Sequence, residues 1–382
     1  MKKVIEDNNM RIKLCYAISA LSNQGPANVL YNILSYIDYN RFEVSVITMA
    51  PEKTISRMAD FEKFPIQIYQ LAPIKHKNGL VLGIAFNKKL KEIRPNIVHV
   101  HCPRSVLLAS FIPNDCKRVV TIHNFPELSQ IIYGRIKGRI IKYLRMMMTK
   151  RIENRVACSE SIADRYNKMG VETSAIPNGC SLPLWTYNQR EKGEIKKKLG
   201  LDLNRQWFLF IGAFVEGKNP RIVVKAFEAF QDTKYGVVLL GDGYLYPELK
   251  RHENERILLP GFRDNVYDYV KACDFYISAS ESEGLPNALL ECMSAGLPSA
   301  LSDIPAHQEI MRKSITPLGR TFDYSNITSV ITAIEEVTKL DTRETRTFVQ
   351  ELYASFYTAK TMSEHYQKYY EQIIEEQVRI PI

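Results

Sequence analysis

Two glutamates with seven residues between them, Glu283 and Glu291, form the most chemically suggestive pair in the chain. Gly284, Leu285, Pro286 and Asn287 follow the first of them, behind an apolar run, Phe275 to Ser278, that reads as a strand. Gly284 permits a tight turn and close approach of backbone to a ligand. Pro286 suits the first position of a helix. A helix starting there presents unpaired backbone N–H groups, and such an N-terminus suits a diphosphate. Glu283 then lies in the loop ahead of the helix, and Glu291 about one turn inside it, roughly 6–8 Å along the axis. Carboxylates at two depths can accept hydrogen bonds from hydroxyls of one elongated ligand, a sugar at one end and a ribose at the other. Taken alone, a glutamate at a helix start is more often a surface charge stabilised by the macrodipole.

The elements around this segment alternate. In the first half, Arg11–Ile18, Phe42–Thr48, Ile66–Leu71, Ile97–His101, Arg118–His123 and Val171–Ile176 read as strands, with helices at 26–36 and 82–93. Residues 181–204 are polar, with a lysine-rich helical piece, and suit a linker and the entry to a second domain. The rhythm restarts at Trp207–Ile211 and continues through Gly236–Leu240, Ile257–Leu259, Phe275–Ser278 and Pro298–Leu301, with helices between and two helical stretches at 328–339 and 344–375. This β-α-β alternation predicts parallel sheets covered by helices. Ligands of such sheets bind beyond the carboxyl ends of the strands, and a cleft between two such domains is a favoured site.

Composition narrows the class. The 382 residues are 45% hydrophobic and 24% charged, as in a globular protein rather than a disordered or fibrous one. No apolar run reaches membrane-spanning length, and the N-terminus lacks the apolar core of a secretory signal; Met10 opens a cleaner strand, so residues 1–9 read as a tail or an upstream start. Seven scattered cysteines without a C-x-x-C pair point to reduced thiols, a cytoplasmic setting and no zinc. The net charge of +9 is uneven: +13 over residues 1–180 and −4 over the rest. A basic first half implies an anionic partner there.

The segment 283–298 resembles the donor-binding signature of the retaining glycosyltransferases of family 4, E-G-x-P-x-x-x-x-E-x-M-x-x-G-x-P, at every fixed position. Ile176-Pro-Asn-Gly179, Gly241-Asp-Gly243, Leu259-Pro-Gly-Phe262 and Ser302 to Glu309 resemble further segments of that family, as do the strand ends at His101 and His123. The resemblance implies the α/β GT-B fold, two Rossmann-like domains facing across a cleft. It places an acceptor-side domain at 1–182, a linker at 183–203, a nucleotide-sugar domain at 204–360, and a helix at 361–382 crossing back to the first domain.

By the same resemblance, Lys218 holds the donor phosphates and stabilises the departing nucleotide. Glu283 and Glu291 meet the sugar and the ribose, and His123 touches the transferred sugar. Gly212, Gly284, Leu285, Pro286 and Asn287 complete the donor site, with Gly25 in a weaker match to the first glycine loop. His101 is a lesser candidate on the acceptor side. The family's usual arginine after Gly212 is Ala213 here, and Arg221, Arg263 or first-domain residues are the candidate substitutes. Catalysis by this family rests on positioning and electrostatics, with retention by front-face attack and with no metal or other cofactor expected. The implied reaction moves a hexose or N-acetylhexosamine, most simply from a UDP-sugar, to a glycan or polyprenyl-diphosphate-linked acceptor of a surface polysaccharide such as O-antigen, capsule or exopolysaccharide.

Residues 135–155 carry eight basic residues against one acid, Glu153. Arg135, Arg139 and Lys142 fall on one helical face, and Ile136, Ile140, Tyr143 and Met147 on another. Such a stretch suits an anionic membrane surface, and predicts a peripheral location on the inner face of the plasma membrane. The plain alternative is a helix packed by its apolar side. Nucleic acid is not expected, since no aromatic and basic residues interleave. Two rival readings share the sequence: a nucleotide-sugar 2-epimerase of the same fold, and a non-catalytic sugar-nucleotide-binding protein. Donor consumption with and without acceptor separates them.

Overall fold

Apolar runs and the helices between them resolve into two parallel sheets in the computed structural model, which describes residues 11–22, 25–52, 56–71, 79–112, 115–127 and 134–378. The tail expected at residues 1–9 lies outside these. The first sheet holds β1 (Ile12–Ile18), β2 (Phe42–Thr48), β3 (Gln67–Gln70), β4 (Ile97–Val100), β5 (Lys117–Ile122), β6 (Asn154–Ala157) and β7 (Ser174–Ala175), in the order β3-β2-β1-β4-β5-β6-β7. The second holds β8 (Gln206–Ile211), β9 (Tyr235–Leu240), β10 (Ile257–Gly261), β11 (Phe275–Ser278), β12 (Ser299–Ser302) and β13 (Gly319–Phe322), in the order β10-β9-β8-β11-β12-β13. Central strands such as β1, β8 and β11 are apolar almost throughout, as strands covered on both faces must be.

The strand order reverses between β1 and β4 in the first sheet, and between β8 and β11 in the second. The loops leaving those strands diverge to opposite faces and open a crevice at the carboxyl edge. Gly25 follows β1, Gly212 and Lys218 follow β8, and Glu283 to Asn287 follow β11 with Glu291 in the helix behind; His123 and Arg263 lie beyond the ends of β5 and β10.

The chain divides into two units. One comprises the residues up to Asn178 together with the helix Ala359–Val378, and the other is Gly179–Thr358. In the first, Tyr366 and Tyr370 of that last helix enter the same core as Tyr16, Leu30 and Phe42. Ser363 Oγ also donates to the Ile33 carbonyl at 2.8 Å.

Four expectations change. The stretch 344–375, read as one helix, is two, Arg343–Phe356 and Ala359–Val378. It breaks because the Tyr357 carbonyl accepts from the Cys180 amide, and Thr358 bridges Cys180 in a strand-like pair. The basic stretch does not stay helical to 155. Its helix ends at Lys150, and β6 begins at Asn154. The strand β13 and the helix Pro305–Met311 went unread.

The expected linker is the fourth change. Residues Gln189–Lys198 form a helix of the second unit, capped by the Asn188 side chain. Lys192 and Lys196, four apart on one face, reach inward to buried Asp274. Lys192 Nζ lies 2.6 Å and Lys196 Nζ 3.4 Å from its carboxylate oxygens. Asp274 also accepts from the Trp207 amide at 2.8 Å. Burial alone would raise this carboxyl; the two lysines and the amide outweigh it and hold it low. Two lysines of a polar stretch are here a buried anchor, while Lys197 and Lys198 stay exposed.

Candidate active site

The second unit assembles its site from four strand ends. The loops after β8 and β9 approach so closely that glycine is required. A Cβ on Gly241, at φ +149°, would lie 1.8 Å from the Gly212 carbonyl oxygen, and one on Gly243, at φ +157°, 2.5 Å from that of Phe214. The Gly241 amide meanwhile bonds the Gly261 carbonyl at the end of β10. Gly212 has ordinary space of its own, and the aliphatic stem of Lys218 passes 3.8 Å from where its Cβ would be.

Across the reversal, the loop after β11 carries Ser280 and Glu283. The Glu281 amide donates to the Gly217 carbonyl at 3.0 Å, tying this loop to the turn Glu216–Lys218. Lys218 Nζ and Glu283 Oε1 form an ion pair, and Ser280 Oγ donates to the same oxygen at 2.7 Å. The glutamate is nearly buried, while the lysine keeps about a third of its side chain exposed. The lysine expected at the phosphates and the glutamate expected at the sugar thus pair with each other.

The helix behind the loop is Asn287–Ser294, and Pro286 is its cap rather than its first residue. Its leading amides have no carbonyl of the same helix to bond. Asn287 Oδ1 is buried and has no partner among the described residues. A buried acceptor left open costs free energy that a ligand's hydroxyl or N–H would recover. Gly284 and Leu285 fill the turn between Glu283 and the cap. Glu291 stands just over one turn inside, densely surrounded, and desolvation pushes its carboxyl up to about 7. His307, in the helix Pro305–Met311 behind β12, donates from Nδ1 to the Ser302 carbonyl at 2.9 Å, which leaves a buried Nε2 lone pair without a partner among the described residues.

The two arginines offered in place of an arginine at Ala213 differ. Arg221 is occupied by Glu248 and Glu216. Arg263, two residues past β10, is exposed and bonds only the Phe262 carbonyl. Only the second is free of carboxylates among the described residues.

The first unit's carboxyl edge is built differently. Gly25 begins the helix after β1, and a Cβ there would meet nothing within 4 Å, so the glycine is not sterically required. Its preceding residues Asn23 and Gln24 lie outside the described set. His123 follows β5, half-buried, with its Nε2 3.2 Å from His101 Nδ1. His99, His101 and His123 form a line of rings, with centroids 4.2 Å and 5.4 Å apart. Burial lowers all three imidazoles, His123 to about 4. His99 is held at both nitrogens, by Tyr370 and Thr121, each at 2.7 Å. Sequence reading missed Ser280, His307 and this neutral network. The contacts of Ser280 and His307 are local, three and five residues away, whereas the imidazole network follows only once β4 and β5 are known to be neighbours.

The helix Arg135–Lys150 turns its apolar side outward. Ile136, Ile140 and Tyr143 are 78%, 57% and 64% exposed, whereas the buried positions are Gly138 and Thr149. The plain alternative of apolar packing is therefore wrong. Leu80 and Ile84 on the helix Gly79–Ile93, and Phe111 after the helix Pro103–Ala109, are exposed as well. Lys142 turns away to Glu127 at 3.0 Å. Among the described residues no group of three His, Cys, Asp or Glu converges as metal ligands, and no helix is long and apolar enough to cross a membrane.

The glycosyl transferases group 1 family matches residues 205–339, and Glycosyltransferase Family 4 matches residues 24–182. The chain belongs to the group 1 glycosyltransferases. It is 27% identical over 275 residues to the UDP-Gal:alpha-D-GlcNAc-diphosphoundecaprenol alpha-1,3-galactosyltransferase of Escherichia coli, covering 67% of this chain and 69% of that one. Over 137 residues it is 30% identical to a Campylobacter jejuni enzyme, the N-acetylgalactosamine-N,N'-diacetylbacillosaminyl-diphospho-undecaprenol 4-alpha-N-acetylgalactosaminyltransferase, covering about a third of each chain. The structure of Anabaena HepE in complex with UDP and glucose superposes with a TM-score of 0.76 at 15% identity, over 95% of this chain and 100% of HepE. The fold of this glycosyltransferase is GT-B. Its place in a transferase family rules against the 2-epimerase and the non-catalytic readings.

Proposed function

We propose that this glycosyltransferase moves a hexose or N-acetylhexosamine from a UDP-sugar to a polyprenyl-diphosphate-linked glycan, with retention of anomeric configuration, at an anionic membrane surface. The observation that carries the reading is the Lys218–Glu283 pair at the reversal of the second sheet, beside the open acceptor Asn287 Oδ1. These groups match a diphosphate next to sugar hydroxyls. Lys218, with Arg263, supplies positive charge to the leaving UDP, which electrostatic preorganisation makes effective. Glu283 and Asn287 orient the sugar, Glu291 the ribose, and His123 a sugar hydroxyl from the first unit. The leaving phosphate oxygen takes the acceptor's proton on the face it departs from, so no protein nucleophile is needed.

The acceptor and the membrane rest on the first unit. The diphosphoundecaprenol in the two relatives' names suggests the acceptor class. Outward Ile136, Ile140 and Tyr143, flanked by exposed Lys137, Arg139 and Lys150, suit acyl chains beneath anionic headgroups. The test is a panel of UDP-, GDP- and ADP-sugars, with and without a polyprenyl-diphosphate-linked sugar, on wild type and Glu291→Ala. UDP-sugar consumed fast only with acceptor, and slowly in the variant, is the expected result. Consumption of GDP- or ADP-sugars alone, or no dependence on acceptor, overturns it. Binding to phosphatidylglycerol vesicles, lost in Ile140→Glu, tests the membrane part.

A further inference from the structure

We propose that His101 is a positioning residue that fixes the tautomer of His123, so that His123 carries its proton on Nδ1 and offers that N–H to the substrate. The role of His123 rests on the reading above; its tautomer does not.

The argument starts from bonding capacity. A neutral imidazole has one N–H and one lone pair. His101 Nδ1 and His123 Nε2 are 3.2 Å apart, so one donates and the other accepts. The second nitrogen of His101, Nε2, is buried and has no partner among the described residues. If His101 accepted from His123, its own proton would sit on Nε2 as a buried, unanswered N–H. If His101 donates, Nε2 is a bare lone pair. Unanswered N–H groups are the rarer and costlier of the two in folded proteins. His101 therefore donates from Nδ1, and His123 accepts at Nε2 and holds its proton on Nδ1. That nitrogen has no partner among the described residues, and His123 is half-buried, open on one side.

The surroundings hold this arrangement. His101 is 2% exposed, with the His99 ring against it at 4.2 Å and Tyr16 at 5.8 Å. His99 is itself pinned by Thr121 and by Tyr370 of the helix Ala359–Val378. Burial keeps the rings neutral, so the N–H···N bond persists. A free histidine favours the other tautomer, with its proton on Nε2. Through His101, the protein reverses that preference at the ring meant to face the sugar.

The test needs no activity. Long-range 15N–1H spectra of the full chain with labelled histidine distinguish protonated from bare ring nitrogens, and the His123→Gln variant identifies which signals belong to His123. The expected wild-type result is a protonated Nδ1 and a bare Nε2 on His123. A proton on Nε2, or a mixture of both, overturns the proposal. His101→Leu should release His123 to the Nε2–H form, and His101→Asn, which keeps an amide N–H near the place of Nδ1, should restore Nδ1–H. In turnover with the active UDP-sugar, His101→Leu should lower kcat roughly 10- to 100-fold, as small misplacements do. Its donor KM should hardly change, and His101→Asn should recover much of kcat. Wild-type kcat in a folded His101→Leu contradicts the positioning role. Full activity in His123→Gln instead contradicts the functional reading of His123, and leaves the tautomer result standing.

Discussion

The carboxyl edges of the two sheets solve different problems with different chemistry. The second unit keeps charge there, Lys218 against Glu283 and Arg263 in solvent, and it keeps more at the opposite, amino end of β11, where Lys192 and Lys196 are locked on Asp274. The first unit keeps neutrality: three imidazoles, Thr121 and three tyrosines, joined by hydrogen bonds and lowered or raised by burial into their uncharged forms. On the function proposed above, the charged edge suits a diphosphate, which a lysine attracts as a point charge. An edge that must orient a sugar hydroxyl needs donors and acceptors whose direction is fixed.

Breaking the buried charge cluster at the amino end of the second sheet should produce the largest effect. Asp274→Ala leaves two lysines without their shared carboxylate, and unfolding free energy should drop by about 3–5 kcal/mol. Urea denaturation reads this directly. Asp274→Asn, which keeps an acceptor for the Trp207 amide, should cost less. At the site itself, Glu283→Gln should lower kcat/KM by about 10²–10³-fold, in line with loss of one preorganised group. Steady-state turnover at saturating acceptor would show it.

A pH scan sharpens the contrast. Burial lifts Glu291 from the ordinary 4.5 to about 7, so the folded state holds that proton more tightly than the unfolded chain. The associated stability is present below pH 4.5 and is lost as pH rises through about 7, by about 1–3 kcal/mol for this partly exposed residue. Thermal unfolding from pH 4.5 to 8 should fall less steeply in Glu291→Gln. The smallest effect belongs to Arg263→Ala. Donor KM should rise about fivefold, as for an exposed charge contact, and less at high salt. The same change at Arg221, already occupied by two glutamates, should leave KM close to wild type.

The two edges were also unequally legible in the sequence. Glu283, Pro286 and Glu291 lie within one loop and one helix, so their spacing alone sets their geometry. The Lys218–Glu283 pair joins positions 65 apart, and it follows only once β8 and β11 are known to be neighbours. His101 and His123 come together because β4 and β5 pair in register, and His99 is held by Tyr370, 271 positions away. No local pattern signals such contacts. The polar stretch around Lys192 and Lys196 reads as a linker in sequence, yet a helix's buried face can be charged when a carboxylate awaits it. The apolar face at 136–147 was visible as a pattern, but its outward direction was a fact of packing.

The most direct test of the account is calorimetric titration of UDP into wild type and Lys218→Ala. The account predicts a single site in wild type, weakened at least tenfold in the variant because the diphosphate loses its principal cation. Equal affinity in the two proteins would show that the nucleotide does not bind where the second sheet reverses, and the assignment of that edge as the donor site would fall.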